Sequence, residues 1–245
     1  MKSILEALKI PENCLLDKAL SINTFVTNLD GTPKDKGDFK VKVESIRITC
    51  QLNQENINLM SFISEEEHYQ SILFIEVIPK SLKDVNWIDE KIHQTIPQPL
   101  IVFYRKDEKR ILSIPTKRIN KVYKSRTVVE EAWISKVFIE YEFIEFVEKY
   151  FIEKHAYLND MKQFYNYLQQ LVKVFEYNKF INQASFSLEM FAKLSTQLKT
   201  LQKEENFIQQ QYHNAMMKKE KLIYYRDLIL LKRTKESIIS KLKGE

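Results

Sequence analysis

The stretch Ser71–Pro115, SILFIEVIPKSLKDVNWIDEKIHQTIPQPLIVFYRKDEKRILSIP, decides the fold. Its first ten residues are a nearly continuous apolar run closed by Pro79, the pattern of a strand buried on both faces. The spacing then becomes helical, roughly from Val85 to Thr95, with Ile88 and Ile92 on one face and Asp84 or Asn86 as the cap. Pro97 and Pro99 end that helix. LIVFYRK, Leu100–Lys106, reads as a second strand. Asp107 and Glu108 make a tight turn, and KRILSIPTKR returns as the hairpin partner. VVEEAWISKVF, Val128–Phe138, reads as one further strand. A strand–helix–strand–strand order implies a mixed sheet with packed helices, an α+β domain, and a right-handed crossover between the first two strands.

Toward the N-terminus the signals weaken. Ile4, Leu5 and Leu8 predict a short helix stopped by Pro11, and Leu15–Leu20 a further helical turn or two. Leu29–Asp38, LDGTPKDKGD, reads as a loop. Val41, Val43, Ile46 and Ile48 lead into ITCQL, either a helix end or a strand. Toward the C-terminus the punctuation vanishes: all six prolines lie at or before Pro115, and the 128 residues Thr116–Lys243 hold neither Pro nor Gly. Long helices have that composition. The chain therefore reads as an α+β domain over 1–140 and a helical region over 141–245. Helices are expected over about Glu142–His155 and Asn159–Tyr177. In the last segment Phe191, Leu194, Leu198 and Leu201 keep heptad spacing. The spacing continues to Ile208, Tyr212 and Ala215, with Glu205 as its polar break. A second register, Tyr224, Leu228, Leu231, Ile238 and Leu242, is broken by Lys235. Two registers predict an antiparallel coiled-coil hairpin bent between Tyr212 and Lys221, with one unbroken helix as the alternative.

Composition excludes several chemistries. The chain has 245 residues, 38 Lys+Arg against 33 Asp+Glu, and only three glycines, Gly31, Gly37 and Gly244, so no Gly-rich phosphate loop can be written. Cys14 and Cys50 form no metal cluster or disulfide framework by themselves, and Cys50 is expected to be a buried thiol. His68, His93, His155 and His213 sit in no H-E-x-x-H or Cys-His pattern, and each is expected at the surface or half-buried. No G-x-S-x-G elbow occurs. No run of 18 apolar residues is present, and the first residues lack a signal-peptide pattern. The expectation is a cytoplasmic protein with no membrane span, no cofactor and no metal, leaning away from an enzyme.

Glu76 stands out, because a carboxylate inside an apolar strand is costly unless paired. Glu44 and Asp89 are candidate companions for a degenerate metal-dependent nuclease or effector site. Position 78 is Ile rather than Lys, so the acid-x-Lys pairing such sites use is missing. The other reading is a strand-edge position or a pair with a basic residue such as Arg105. The charge map is more informative: residues 218–245 hold nine basic and four acidic residues, and the other 217 hold 29 of each. The whole surplus lies in the last helix, on Lys218, Lys219, Lys221, Arg226, Lys232, Arg233 and Lys235 among others. Such a face can neutralise phosphates, with Tyr224 and Tyr225 placed to stack on bases, or it can be a solvated or partner-docking surface. A second basic strip, Lys117, Arg118, Lys121, Lys124 and Arg126, follows the hairpin.

Three stretches together carry a resemblance: SIRITCQLNQENINL (45–59), residues 74–118 with the Ile96-Pro97-Gln98-Pro99-Leu100-Ile101 junction, and KEKLIYYRDLILLKRTKESIISKL (219–242). In that order, over about residues 40–245, they resemble an uncharacterised bacterial domain family. Its members are encoded beside adenine-specific DNA methyltransferases and helicases in restriction-like or anti-phage islands. The resemblance brings no catalytic residues. It implies a partner class, DNA-modifying or DNA-translocating proteins such as methyltransferase and helicase subunits, whereas contact with DNA itself is an expectation from the basic last helix. The chain departs from the family pattern by a longer, less regular region between 140 and 190. The function expected is a non-catalytic accessory or bridging subunit of such a system, with the nuclease around Glu76 as the alternative and a homodimer through the coiled coil as a further expectation.

Overall fold

The structure, a computed structural model, describes residues 3–123, 126–150, 159–181 and 187–243. It divides into two units, Met1–Val172 and Lys173–Glu245. The elements of the first run α1 (Ile4–Ala7), β1 (Leu15–Leu20), α2 (Ile22–Asn28), α3 (Pro33–Lys42), β2 (Val43–Asn53), β3 (Phe62–Ile63), β4 (His68–Tyr69), β5 (Ser71–Pro79), α4 (Val85–Thr95), β6 (Leu100–Lys106), β7 (Lys109–Ile119), β8 (Thr127–Ile134), β9 (Phe138–Ile139), α5 (Glu140–Tyr150) and α6 (Met161–Phe175).

The sheet has the order β1-β2-β5-β6-β7-β8, with β9 added to the start of β7. Only β5 and β6 are parallel, joined through α4 as the sequence predicts; the other neighbours are antiparallel. Alternation along β5 sends Ile75 and Val77 into a core with Phe25, Phe39, Ile88 and Ile92 of α2, α3 and α4. The other face, with Phe74, Ile101, Phe103 and Leu112, meets Phe143 of α5 and Leu168 of α6. Both faces are covered by helices, which is why β5 and β6 read as continuous apolar runs.

Two local expectations are corrected and a third, left open between helix and strand, is resolved. Leu15–Leu20 is not helical: it is a short edge strand paired to β2, and its leucines stay partly exposed because only one neighbour covers it. The expected loop Leu29–Asp38 contains the start of α3. Thr32 Oγ1 accepts from Asp35 N at 3.2 Å, the Asp35 carboxylate accepts from Thr32 N at 2.9 Å, and Pro33 takes the first helical position. The Gly, Pro and Asp that look like a loop are thus a capping box. Val43–Asn53 resolves to a strand, bent by irregularities after Val43 and Ile48. At the β6–β7 turn Asp107 takes φ +52°, a left-handed conformation that Asp tolerates.

In the second unit α7 (Leu188–Asn214) and α8 (Lys218–Lys243) pack together as a hairpin, with the break at Ala215–Met217, inside the expected interval. The two polar breaks in the seam answer each other: Lys235 Nζ donates to Glu205 Oε2 at 2.5 Å and to Gln202 Oε1 at 2.7 Å. The expected seam residues of α8, from Tyr224 to Leu231, are half-buried, and Ile238 and Leu242 are buried. Lys199 pairs with the buried Glu176 at 3.2 Å in the same unit. The helix expected to reach His155 is described to Tyr150, so its end and His155 lie outside the described residues.

Candidate functional site

The residues proposed from sequence lie on α8. Lys218, Lys219, Arg226, Lys232 and Arg233 are exposed, whereas Lys221 and Lys235 are half-buried, Lys221 beside the Tyr212 ring and Lys235 on Glu205. The structure adds an apolar component that charge counting missed. Leu222, Ile223, Tyr225, Ile229 and Leu230 are also exposed, Leu222 at 69% and Leu230 at 54%. Helical spacing interleaves the two sets. Leu222, Ile229 and Arg233 lie on one side of Arg226 around the helix, and Lys219, Ile223 and Leu230 on the other. A coiled-coil exterior that only had to be solvated would carry no such rows of leucine and isoleucine. Met216 and Met217 at the hairpin tip are exposed as well.

The acids considered for a nuclease site do not converge. Glu76 pairs with Arg105 across β5 and β6: Arg105 Nη2 donates to Oε1 at 3.1 Å, and Nε lies 3.0 Å from Oε2. Glu44 lies 3.9 Å from Lys106. Asp89 is on α4, against the opposite face of the sheet from Glu76. Among the described residues no group of three metal-ligating side chains forms.

Asp89 instead organises a buried polar network that sequence reasoning did not assemble. Its Oδ1 accepts from the Tyr104 hydroxyl at 2.8 Å and its Oδ2 from Ser113 Oγ at 2.9 Å. His93 Nε2 lies 3.1 Å from both Asp89 Oδ1 and Ser113 Oγ. Asp89, His93, Tyr104 and Ser113 are each at most 1% exposed. The expectation of a surface or half-buried His93 is therefore wrong: it sits on the apolar face of α4 with Val85, Ile88 and Ile92. The i,i+4 pair Asp89/His93 on that face was the available signal. Burial lowers the His93 pKa against the opposing pull of Asp89, and pushes the Tyr104 hydroxyl well up. Ser, His and Asp are present, but the geometry is not a proton relay. A relay needs the acid on one ring nitrogen and the hydroxyl on the other. Here both contact Nε2, and Nδ1 is buried with no hydrogen-bond partner.

Lys117, Arg118 and Arg126 of the second basic strip line a cavity of about 280 Å³ where β7 ends and β8 begins, with Thr127, Gln98 and Tyr165 also in its wall. Lys117 is 7% exposed, and its Nζ donates to the carbonyls of Ile96 and Gln98, the latter at 3.2 Å. These carbonyls belong to the Ile-Pro-x-Pro junction. Burial lowers the Lys117 pKa to about 7. Lys121 is exposed, and Lys124 lies outside the described residues.

Cys14 and Cys50 are both fully buried, and burial lifts the Cys50 thiol to about 12. Among the described residues no helix is long and apolar enough to cross a membrane. One family pattern matches the chain, described as a domain of unknown function (DUF4391), over residues 8–228. It thus takes in residues 8–39, where the sequence resemblance is weak, and stops within α8. No curated protein and no solved structure matches the chain.

Proposed function

The chain belongs to the DUF4391 family, and from that premise we propose that it is a non-catalytic docking subunit of a restriction-like or anti-phage system. The outward face of α8 binds an acidic, amphipathic segment of a methyltransferase or helicase partner. One observation carries this reading: the exposed rows of α8 alternate Leu222, Ile229 and Leu230 with Lys219, Arg226 and Arg233. A nucleic-acid face needs the cations but gains little from exposed aliphatic residues. A protein groove uses both, with apolar anchors for affinity and charge for orientation and rate. A second copy of the chain is the poorer occupant, because it would bring two positive faces together. The genomic setting and the partner class come from the sequence resemblance, and the non-catalytic reading from the catalytic motifs the sequence lacks.

Two variants separate docking from nucleic-acid contact. Leu222→Ser with Ile229→Ser and Leu230→Ser removes the anchors and keeps the charge. Lys219→Gln with Arg226→Gln and Arg233→Gln does the reverse. Each is co-expressed with the neighbouring methyltransferase and helicase and tested for co-purification, and tested alone on a labelled duplex at low and moderate salt. The expected outcome is loss of co-purification in both variants. Unchanged co-purification in the aliphatic variant, with salt-sensitive duplex binding lost in the charge variant, would replace docking by direct nucleic-acid contact.

A further inference from the structure

The cavity at the ends of β7 and β8 has no place in the docking function, and its chemistry differs from that of α8. Its central feature is a buried lysine with no direct ion pair. Lys117 donates to two backbone carbonyls, and among the described residues no carboxylate lies within ion-pair distance of its amine, although the charge of the buried Asp89 acts on it from farther away. A buried ammonium normally demands an acid, because neutral carbonyls return only part of the hydration it loses. Two arginines of the hairpin, Arg118 and Arg126, also line the cavity. Arg118 on β7 lies with its Nε 2.9 Å from the half-exposed Glu130, and Arg126, just before β8, donates to Asp30 at 2.7 Å. The Arg126–Asp30 pair is mostly exposed, at 62% and 69%, so it is easily exchanged for another anion. The acid in the wall, Glu67, is already held by Lys162. On the far side stand Pro97, Pro99 and the Tyr165 ring, whose hydroxyl is occupied with the carbonyls of Pro115 and Leu100 at 2.7 and 3.0 Å. A cationic end and a flat apolar wall in one small cavity suit a ligand with a compact anion at one end and a small organic group at the other.

We propose that this cavity binds a small phosphate monoester, with its phosphate set between Lys117, Arg118 and Arg126. Phosphate offers three acceptor oxygens to planar guanidinium forks and to a point-charge lysine, an arrangement those side chains recognise well. It also supplies a counter-charge in direct contact, where Asp89 acts on Lys117 only at a distance. The bound phosphate would hold the amine in its protonated form, where burial alone leaves it half-ionised near neutrality. The source of the monoester is a free mononucleotide or the 5′ end of a nucleic acid, and the chemistry recognised is the same.

Calorimetric titration of the intact protein with AMP, inorganic phosphate and adenosine tests this. AMP is expected to bind with a Kd below about 1 mM, an affinity within reach of a cavity this size. Phosphate should compete with it and adenosine should not bind. Arg126→Gln, a change at an exposed side chain that leaves the fold intact, should weaken AMP binding about tenfold, roughly the loss of one charge-assisted contact. Lys117→Met should weaken it further. A 5′-phosphorylated oligonucleotide, compared with its 5′-hydroxyl form, tells the two sources apart. If it binds more tightly than AMP the monoester is a nucleic-acid end, and otherwise it is a free nucleotide. Adenosine binding as well as AMP, AMP binding unchanged in Arg126→Gln, or no binding of any phosphate ester at millimolar concentration would overturn the assignment.

Discussion

Between pH 7 and 9 the sheet unit should become more stable as pH rises, and Lys117 is the reason. An unfolded lysine holds its proton to about pH 10.5, whereas in the fold burial brings the Lys117 pKa to about 7. Between these values the unfolded chain binds a proton that the folded chain does not, so the stability of the fold rises with pH. The penalty is fully present below pH 7 and disappears above the unfolded value. Combining the two pKa values gives a gain of about 2 kcal/mol between pH 7 and 9. Two other groups bound the window. His93, with its pKa lowered by burial, makes stability fall as pH drops below about 6.5. Above about pH 9 the thiols of Cys14 and Cys50, both raised by burial, begin to favour the unfolded chain. The assay is urea unfolding followed by tryptophan fluorescence. Both tryptophans, Trp87 and Trp133, lie in the sheet unit. The midpoint should rise from pH 7 to 9 at constant m, and Lys117→Met, of similar length and without charge, should abolish the rise while remaining folded. A wild-type midpoint flat over that range, or a rise that survives in Lys117→Met, would refute the reasoning.

Asp89→Ala should destabilise the protein by about 3–5 kcal/mol, because it orphans Tyr104, Ser113 and His93 in a buried site at once. Asp89→Asn should cost less, since it retains one acceptor, and thermal unfolding of the two variants gives the comparison. Cys14 and Cys50 should resist a thiol reagent in the native protein and react together with global unfolding, since both are fully buried with raised pKa values. Labelling followed by mass spectrometry at rising urea concentration measures this, and fast labelling without denaturant would contradict the burial.

Much of the architecture is legible because periodicity and punctuation are local. The run Ser71–Pro79, the 3.6-residue spacing of Val85–Thr95 and the two prolines before Leu100 define β5, α4 and β6 without any distant contact. The absence of Pro and Gly over Thr116–Lys243 foretells the long helices, and the break between heptad registers foretells the turn at Ala215–Met217. The failures also have a physical cause. Leu15–Leu20 is a strand only because β2 offers it a free edge, and partners 26 to 35 residues away in sequence leave no trace in the six residues themselves. Thr32–Asp35 was misread because capping residues and loop residues share one chemistry.

The candidate sites divide in the same way. The sequence alone determined where the net charge lies, on α8, and which residues break the hairpin seam, because charge and heptad position are properties of the chain. Only the tertiary structure decided that the two breaks, Glu205 and Lys235, neutralise each other across the hairpin, and that the outer rows of α8 also expose Leu222, Ile229 and Leu230. Likewise, Asp89 and His93 are four residues apart on one helix. Their meeting with Tyr104 and Ser113 depends on how α4 packs against β6 and β7. Lys117 is one of five basic residues in a strip until the fold removes it from water, and burial, not sequence, makes it unlike Arg118, Lys121 and Arg126.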